Sequence, residues 1–464
     1  MITIKEVYEA WAEGAEFRRK RHRYLNFCYG RQWNDPVEFG ARMVTEEEAA
    51  LQTGKRPMTN NLIRQMVKNI VGRFRYRLSQ GEATSSIDAA TARQNMIDEL
   101  DSRALEEFLI SGCAVQRIVR ERRPGGSGVW VDNVDPDRLI CNRYTDPRGN
   151  DLELVGMLHD MSLREVCARF GHGDAGRTMA IARLYEGLAE TGSYVSLGSG
   201  ESESFGRPRR GRCRVIECWT LETASRINLR ESDTGRRFSA ARSERSRIDE
   251  MDARRRQRGL PPLERREVTE LEWHCHWLAP SGEEIESYKS PWSHGEHPFC
   301  LKHYPMTDGE VHSTVEDVID TQKYINRLIT LIDQVIGSAA KGVLLFPIGQ
   351  KPDNYTWDDI AERWACPNGL IPYYPDGMSD GPRQIVANSH QTGAYSLLET
   401  EMRLMEQISG VNSAMAGRTD GSGMSAALFD AQTLNGTIGL MDTLACFDAF
   451  RELRDKKVKS IQMI

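Results

Sequence analysis

No Cys-x-x-Cys pair occurs among the ten cysteines of this 464-residue chain, which removes the commonest dithiol redox motif and the usual zinc-finger framework. No signal peptide follows Met1, so the scattered thiols are expected to stay reduced in a cytosolic setting. No apolar run reaches the roughly 18–20 residues a membrane span needs. Positive charge is not in excess either: the formal net charge is -6. A protein that gripped duplex DNA over a broad face should be basic, yet this balance leaves room for one past which DNA slides. G-x-S-x-G and H-E-x-x-H are missing, as is any solenoid-type repeat. Nothing here demands an enzyme, and no cofactor is expected.

What is present is a charged, globular chain. Charged residues make up 28% and apolar ones 39%, and the length exceeds one ordinary core, so several sub-domains are expected. Residues 1–80 read as helical, broken at "GRQWNDP", with a helix restarting after "RPMTNN" and Thr59 or Asn60 as its N-cap. Leu62, Met66 and Ile70 would share one of its faces. Residues 91–112 read as an amphipathic helix. A strand pair follows, turning at Pro124–Gly126 and closing at Asp135–Pro136, and residues 162–190 return to helix. The polar stretch 191–212 reads as an exposed loop. "CRVIECWTLE" reads as a strand. The Arg-rich stretch 229–268 reads as a charged helical excursion, because acids interleave with the bases. Strands resume at "TELEWHCHWLAP".

The pattern then changes period. Val315, Val318, Ile325, Leu328, Ile329, Ile332, Val335 and Ile336 make a long amphipathic helix over Val315–Ser338, and Tyr324 and Leu331 widen its stripe. Residues 341–375 read as a module: strand "KGVLLFP", helix "NYTWDDIAERWAC", strand "NGLIPYYP". A second long helix spans about His390–Ser409, carrying Tyr395, Leu398, Met402, Met405 and Ile408, with Gly410 as its stop. A last helix starts near Met424. The chain closes on "FRELRDKKVKSIQMI", an abrupt ending after which a further segment is expected.

Candidates for chemistry are of three kinds: a phosphate loop, a metal site and catalytic pairs. "GRTDGSGMS" has the glycines of a phosphate loop, but Met424 stands where a Walker loop needs Lys, and the segment joins helix to helix. His274, Cys275, His276, His294, His297, Cys300 and His303 are zinc-ligand types without zinc-finger spacing, and ordinary strand-end histidines account for them as well. Asp358–Asp359 and Asp317–Asp320 read as solvated helix faces. Cys28 near His22 is a weak pairing.

Three pieces carry a resemblance: "FCYGRQW…GKRPMTNN", "TQKYINRLITLID" and "ISGVNSAMAGR". With the order of parts around them, the chain resembles the portal, or head-to-tail connector, proteins of tailed bacteriophages, nearest the short-tailed type. The resemblance implies an α+β, mainly helical portal fold. Residues 1–313 would be the β-containing wing, 314–340 and 386–409 the two stem helices, and 341–385 the strand–helix–strand clip. Residues 410–424 would be the tunnel loop, and 425–464 the channel helix and the start of a crown. It further implies a homo-oligomeric ring, a dodecamer, assembled in the host cytoplasm and seated at one capsid vertex of the virion. Its partners would be the terminase large subunit, the major capsid or scaffold protein, a head-completion or tail adaptor, and double-stranded DNA in the channel. Ser413, Arg418, Thr419, Asp420, Ser422 and Lys341 would meet that DNA. Leu344, Leu345, Phe346, Trp357, Ile371 and Tyr373 would form the clip interface between subunits. A nucleotide-dependent enzyme using the Gly-rich loop, and a capsid or head–tail adaptor that conducts no DNA, remain the alternatives.

Overall fold

In the computed structural model the chain is mixed helix and sheet, with about twice as much helix as strand. The structure describes all residues except 1, 82–84, 192–204, 207, 209–210, 293–294, 308, 340–342, 367–368, 376, 378–380, 386–391, 412–437 and 463–464. Two compact units emerge. One combines Met1–His22, Val71–Ser313 and Met441–Ile464; the other combines Arg23–Ile70 and Thr314–Leu440.

The first unit is organised by a strand longer than its sequence signal. Strand β7 (Cys213–Arg230) continues well past "CRVIECWTLE". It pairs antiparallel with β6 (Leu154–Met161) on one side and with β9 (Glu264–Leu278) on the other. Strands β5 (Leu139–Cys141) and β10 (Glu284–Lys289) complete the sheet at its edges. Between Arg214 and Thr220 every residue of β7 is buried, because both faces are covered. Val215 and Trp219 join Val166, Phe170, Ile181 and Tyr185 from the helices α7 (Leu163–Phe170) and α8 (Ala175–Thr191). Ile216 and Cys218 point the other way, to Val7 and Trp11 of helix α1 (Ile4–Glu13) and to Phe205. Phe205 lies in the stretch expected to be an exposed loop, yet it is 2% exposed, against the Tyr8 and Trp11 rings.

Glu217 shares the Trp219 face. It has no exposure, and is held by Arg117 at 2.8 Å, by His159 at 2.8 Å and by the Trp219 indole N–H at 2.9 Å. Burial alone would raise its pKa, but the Arg117 charge and these hydrogen bonds hold it well below the usual carboxylate range. Gly156 sits beneath: a Cβ there would lie 2.1 Å from the Glu217 carbonyl oxygen.

A second sheet orders β11 (Phe299–His303), β3 (Cys113–Arg123) and β4 (Gly126–Asn133). The hairpin expected at Pro124–Gly126 forms as read. The helix expected over 91–112 is two, α5 (Ala89–Asn95) and α6 (Ile97–Ser111), because Met96 takes a left-handed φ of 51° and interrupts the ladder. The final described helix, Met441–Gln462, packs on this sheet and on α6. Arg454 and Arg451 both clamp Asp101, at 2.6 and 2.8 Å, and all three are buried. A buried carboxylate requires such partners.

The Arg-rich stretch is not a helical excursion. It contains the end of β7, β8 (Arg237–Ala241), one helix α9 (Arg245–Gln257) and the start of β9. Ile227, Leu229, Ile248 and Leu263 give it a small core of its own. Period-2 apolar positions were hidden there by the density of charge.

Helix α2 (Ala15–Cys28) starts in the first unit, and the second unit opens at Arg23 within it. The helix stops where Gly30 adopts a φ of 88° and the Arg31 N–H returns to the Asn26 carbonyl, a glycine-dependent C-terminal stop. A short hairpin, Pro36–Phe39 with Arg42–Thr45, turns at Gly40 and interrupts the region expected to be helical. Helix α4 (Leu62–Ser79) is capped by Asn61, whose Oδ1 accepts the Arg64 N–H at 3.0 Å, one residue beyond the expected caps. Its buried line is Ile63, Met66, Val67, Ile70 and Phe74, with Leu62 only partly covered.

The long helix appears as expected, at Glu316–Ala339 (α10). Within its buried stripe lie three polar residues one turn apart: Gln322, Asn326 and Thr330. The Asn326 amide accepts from the Asn60 N–H at 3.0 Å and donates to Gln32 Oε1 at 2.6 Å. Gln322 accepts from the Leu62 N–H and donates to the Asn60 carbonyl, and Thr330 accepts from the Met58 N–H. Gln32 donates to the Phe27 carbonyl and to Asn61, and Asn61 donates to the Cys28 carbonyl. Around this centre Lys323 joins Asp35 and Glu46, and Arg23 also reaches Asp35.

Two outcomes follow from this packing. Asn326→Leu removes the partners of the Asn60 N–H and of the Gln32 side-chain oxygen, and for the buried Gln32 the unmet group costs roughly 1–3 kcal/mol. A chemical-denaturation midpoint should fall accordingly, whereas an unchanged midpoint would show the network to be dispensable. The second concerns acid. Burial pushes the His303 imidazole down to about 4, and it also outweighs Glu217 to lower His159. The unfolded chain therefore binds protons that the folded chain refuses. The stability from neutral His303 is full above pH 6.5 and is lost as pH falls towards 4. Melting temperature followed over that range should slope less in His303→Gln than in the wild type.

Candidate assembly surface

An amphipathic helix in a single folded chain normally hides its large apolar side chains. The second unit departs from this. On α10, Val318, Ile319, Ile325, Leu328 and Ile332 are buried, but the residues that widen the stripe are not. Tyr324 and Leu331 are exposed by 39% and 49%, and Ile336, expected within the stripe itself, is exposed by 45%.

The second long helix, α12 (Thr392–Ser409), packs against α10. It ends at Gly410, whose φ of 67° makes the expected stop. Leu398, Met405 and Ser409 form its covered line. Of the apolar residues expected to define its face, Tyr395, Met402 and Ile408 instead point outward, and so do Leu397 and Leu404. One narrow line is covered, and the rest of the helix offers apolar side chains to whatever lies beyond.

Between the two helices stands the small module. Its first strand, β14, is Val343–Leu345. The expected second strand, "NGLIPYYP" at 368–375, does not form over its described residues 369–375: Pro372 and Pro375 remove donors from that segment, which runs as coil with the Tyr374 N–H on the Gln350 carbonyl. Ile371 and Tyr373 therefore lie on a loop. The partner strand is β15 (Arg383–Ile385), antiparallel, with Leu345 opposite Arg383 and Val343 opposite Ile385. This sheet has two strands, so each strand keeps an outer edge with no partner strand among the described residues. Helix α11 (Trp357–Ala365) starts with a capping box in which Asp359 accepts the Thr356 N–H at 2.7 Å. One of the paired carboxylates at 358–359 is thus a cap, and its hydrogen bonds with Thr356 lower its pKa.

Of the residues expected at a subunit interface, Leu345, Trp357 and Tyr373 are exposed by 51%, 45% and 46%. Leu344, Phe346 and Ile371 are half-buried. The Phe346 and Trp357 rings meet edge to face at 5.9 Å. Ile348 and Leu370 are each 83% exposed. Ser413, Arg418, Thr419, Asp420, Ser422 and Lys341, the residues expected to meet DNA, lie outside the described residues, as does the expected helix start near Met424.

The zinc-type residues go to separate partners. The His276 ring lies 3.1 Å from both Glu222 and Glu284, His303 bonds the Tyr144 hydroxyl at 2.8 Å, and the His297 ring stands edge-on to Trp273. Cys275 and Cys300 are buried, and that burial pushes both thiols up, while His294 lies outside the described residues. Among the described residues no cluster of His, Cys, Asp and Glu is arranged to hold a metal. His22 sits 3.2 Å from Asp137, and Cys28 is fully buried.

Sequence reasoning missed the amides that fix α10, although their signal was present: Gln322, Asn326 and Thr330 recur every four residues inside an apolar stripe. It also missed Gln32 and Asn61, which sit inside the quoted motifs. Those motifs, "GRQW", "PMTNN" and "TQKYINRLIT", are the segments that meet in the network, so the pieces carrying the resemblance are the ones that position the long helix.

No helix among the described residues is long and apolar enough to cross a membrane. No curated protein matches the chain. A family model for the phage P22-like portal protein matches residues 82–451, most of the sequence and the greater part of both units, and the chain belongs to that family of structural, non-enzymatic phage portal proteins.

Proposed function

We propose that this portal protein closes into a homo-oligomeric ring, a dodecamer, at one vertex of the capsid and conducts double-stranded DNA through its centre during packaging and ejection. The observation that carries the ring is the uncovered apolar surface on α10, α12 and the module between them. In a head-to-tail ring each subunit offers two different faces to its neighbours. A pair of packed helices with apolar residues left outside the pair supplies such faces. The unpaired edges of β14 and β15 suit strand addition from a neighbour.

In this reading residues 314–340 and 386–409 are the stem, 341–385 the clip and 1–313 the wing. Within 425–464, the helix Met441–Gln462 buries nine residues in the interior of its own unit, among them Leu444, Phe447, Phe450, Arg451 and Arg454, so only its exposed residues are free to face a channel. Residues 410–424 are the tunnel loop, with Arg418 and Asp420 near passing phosphates. A conducting channel works best when phosphate contacts are few, since each neutralised phosphate adds affinity through counterion release; an acidic chain suits that need. The terminase large subunit, the capsid or scaffold protein and a tail adaptor are the docking partners of this assembly.

Electron microscopy of the purified chain, alone and with capsid components, tests the ring: closed rings are expected, and a persistent monomer or dimer would overturn it. Deleting residues 411–423 should leave rings intact while packaging of DNA into heads falls. Packaging at the wild-type level would remove the loop from the DNA path. For the apolar surface, Leu331→Asp with Ile408→Asp should leave a folded chain that no longer assembles.

A further inference from the structure

Beyond Thr220 and His274, strands β7 and β9 leave the sheet. β6 pairs β7 only over Cys213–Thr220, and β10 pairs β9 only over His274–Leu278. Residues 221–230 and 264–273 continue as a two-stranded ribbon, joined near its end by β8. At about 3.3 Å per residue this ribbon reaches about 30 Å from the sheet. It is an arm, and its two faces differ.

Residues directly opposite in an antiparallel pair share a face. Ile227 and Leu229, with Phe238 and Ala240 opposite them, face helix α9 and are covered by Ile248 and Met251. Arg265 is on this side and is neutralised by Asp249 and Asp252 of the helix. Among the described residues no helix covers the opposite face. There Arg230 stands between Arg237 and Glu264, and Asn228 stands between Ser239 and Arg266. Arg230, Arg237 and Arg266 are all exposed. Arg230 reaches Glu264 only at 3.8 Å, with both side chains more than half exposed. Arg237 and Arg266 make no ion pair among the described residues.

Residues 229–268 hold twelve Arg and eight Asp or Glu, a net of +4, in a chain of net -6. The rest of the chain therefore carries -10. Acidic copies brought together in a ring repel one another, and a basic face on a projecting arm is the complement that such a ring lacks. We infer that the uncovered sheet face of this arm, centred on Arg230, Arg237 and Arg266, docks on an acidic surface of the neighbouring copy. The inference rests on the ring reading. The interleaved acids, with Glu264 inside the patch and Glu270 and Glu272 nearer the sheet, oppose a continuous phosphate backbone, whereas a protein surface of mixed charge accommodates them.

The experiment combines Arg230→Glu, Arg237→Glu and Arg266→Glu in one chain. A charge-matched control carries Arg19→Glu, Arg122→Glu and Arg164→Glu, three exposed sites outside the arm. Assembly is followed by light scattering and electron microscopy against protein and salt concentration, with circular dichroism and melting of the unassembled chains to verify folding. The arm variant should need about tenfold more protein for half-assembly than the control, and the wild-type dependence on salt should flatten in it. Equal assembly of variant and control overturns the inference. So does normal assembly with weakened retention of a short DNA duplex, which would make the arm a nucleic-acid contact. A wild type that never forms rings refutes the ring reading itself, and so the inference that rests on it, and is told apart by that result.

Discussion

Amides taken out of water must find partners inside the protein, and that constraint fixes the second unit. Gln322, Asn326 and Thr330 sit inside the apolar stripe of α10, where an unmet hydrogen-bond group costs as much as several methylenes gain. Only one arrangement satisfies them: the turn after α2 supplies Gln32, and the approach to α4 supplies the backbone of Met58, Asn60 and Leu62. Apolar packing alone would tolerate a slide of α10 along its axis, because Ile, Leu and Val replace one another at little cost. A slide of one turn would strand the whole set of amides. The helix is therefore held in register as well as buried, and α12, which packs against it, inherits that register.

This explains why the shortest quoted motifs carried the resemblance. Segments far apart in sequence meet at one buried site, and each supplies a group the others need. The first unit uses the same logic with charge. Asp101 is fully enclosed and is acceptable there only because Arg451 and Arg454 reach it from the final helix. Glu217 is acceptable because Arg117, His159 and Trp219 surround it. Buried polar groups of this kind add little net stability but discriminate strongly against misaligned packing.

Elements with a long, clean period were legible from sequence: the two long helices, the hairpin at Cys113–Asn133 and the stop at Gly410. Three failures have physical causes. The apolar content of "NGLIPYYP" reads as a strand, but its prolines cannot serve a ladder, and Arg383–Ile385, a short polar segment, takes the place. The hairpin at Pro36–Thr45 was too short for alternation to register against the helical charge pattern around it. In the Arg-rich arm, Ile227, Leu229, Phe238 and Leu263 are few enough to be swamped by twelve arginines. At the candidate surface, exposure could not be read at all. Tyr395, Met402 and Ile408 look the same in sequence as Leu398 and Met405, and only the position of α10 decides which of them is covered.

The two uncovered surfaces differ in what they can supply. Apolar side chains on α10 and α12 provide area, and area is non-directional; it favours association without dictating register. The arm supplies the reverse. Its arginines are solvent-exposed, so each contributes little affinity, but paired charges penalise wrong placements and speed correct encounters. A closed ring needs both properties, because a heterologous interface that is strong but imprecise in angle grows into an open helix rather than closing. An acidic chain with an apolar helix pair and one basic arm has the means to associate strongly and to reject the wrong angle.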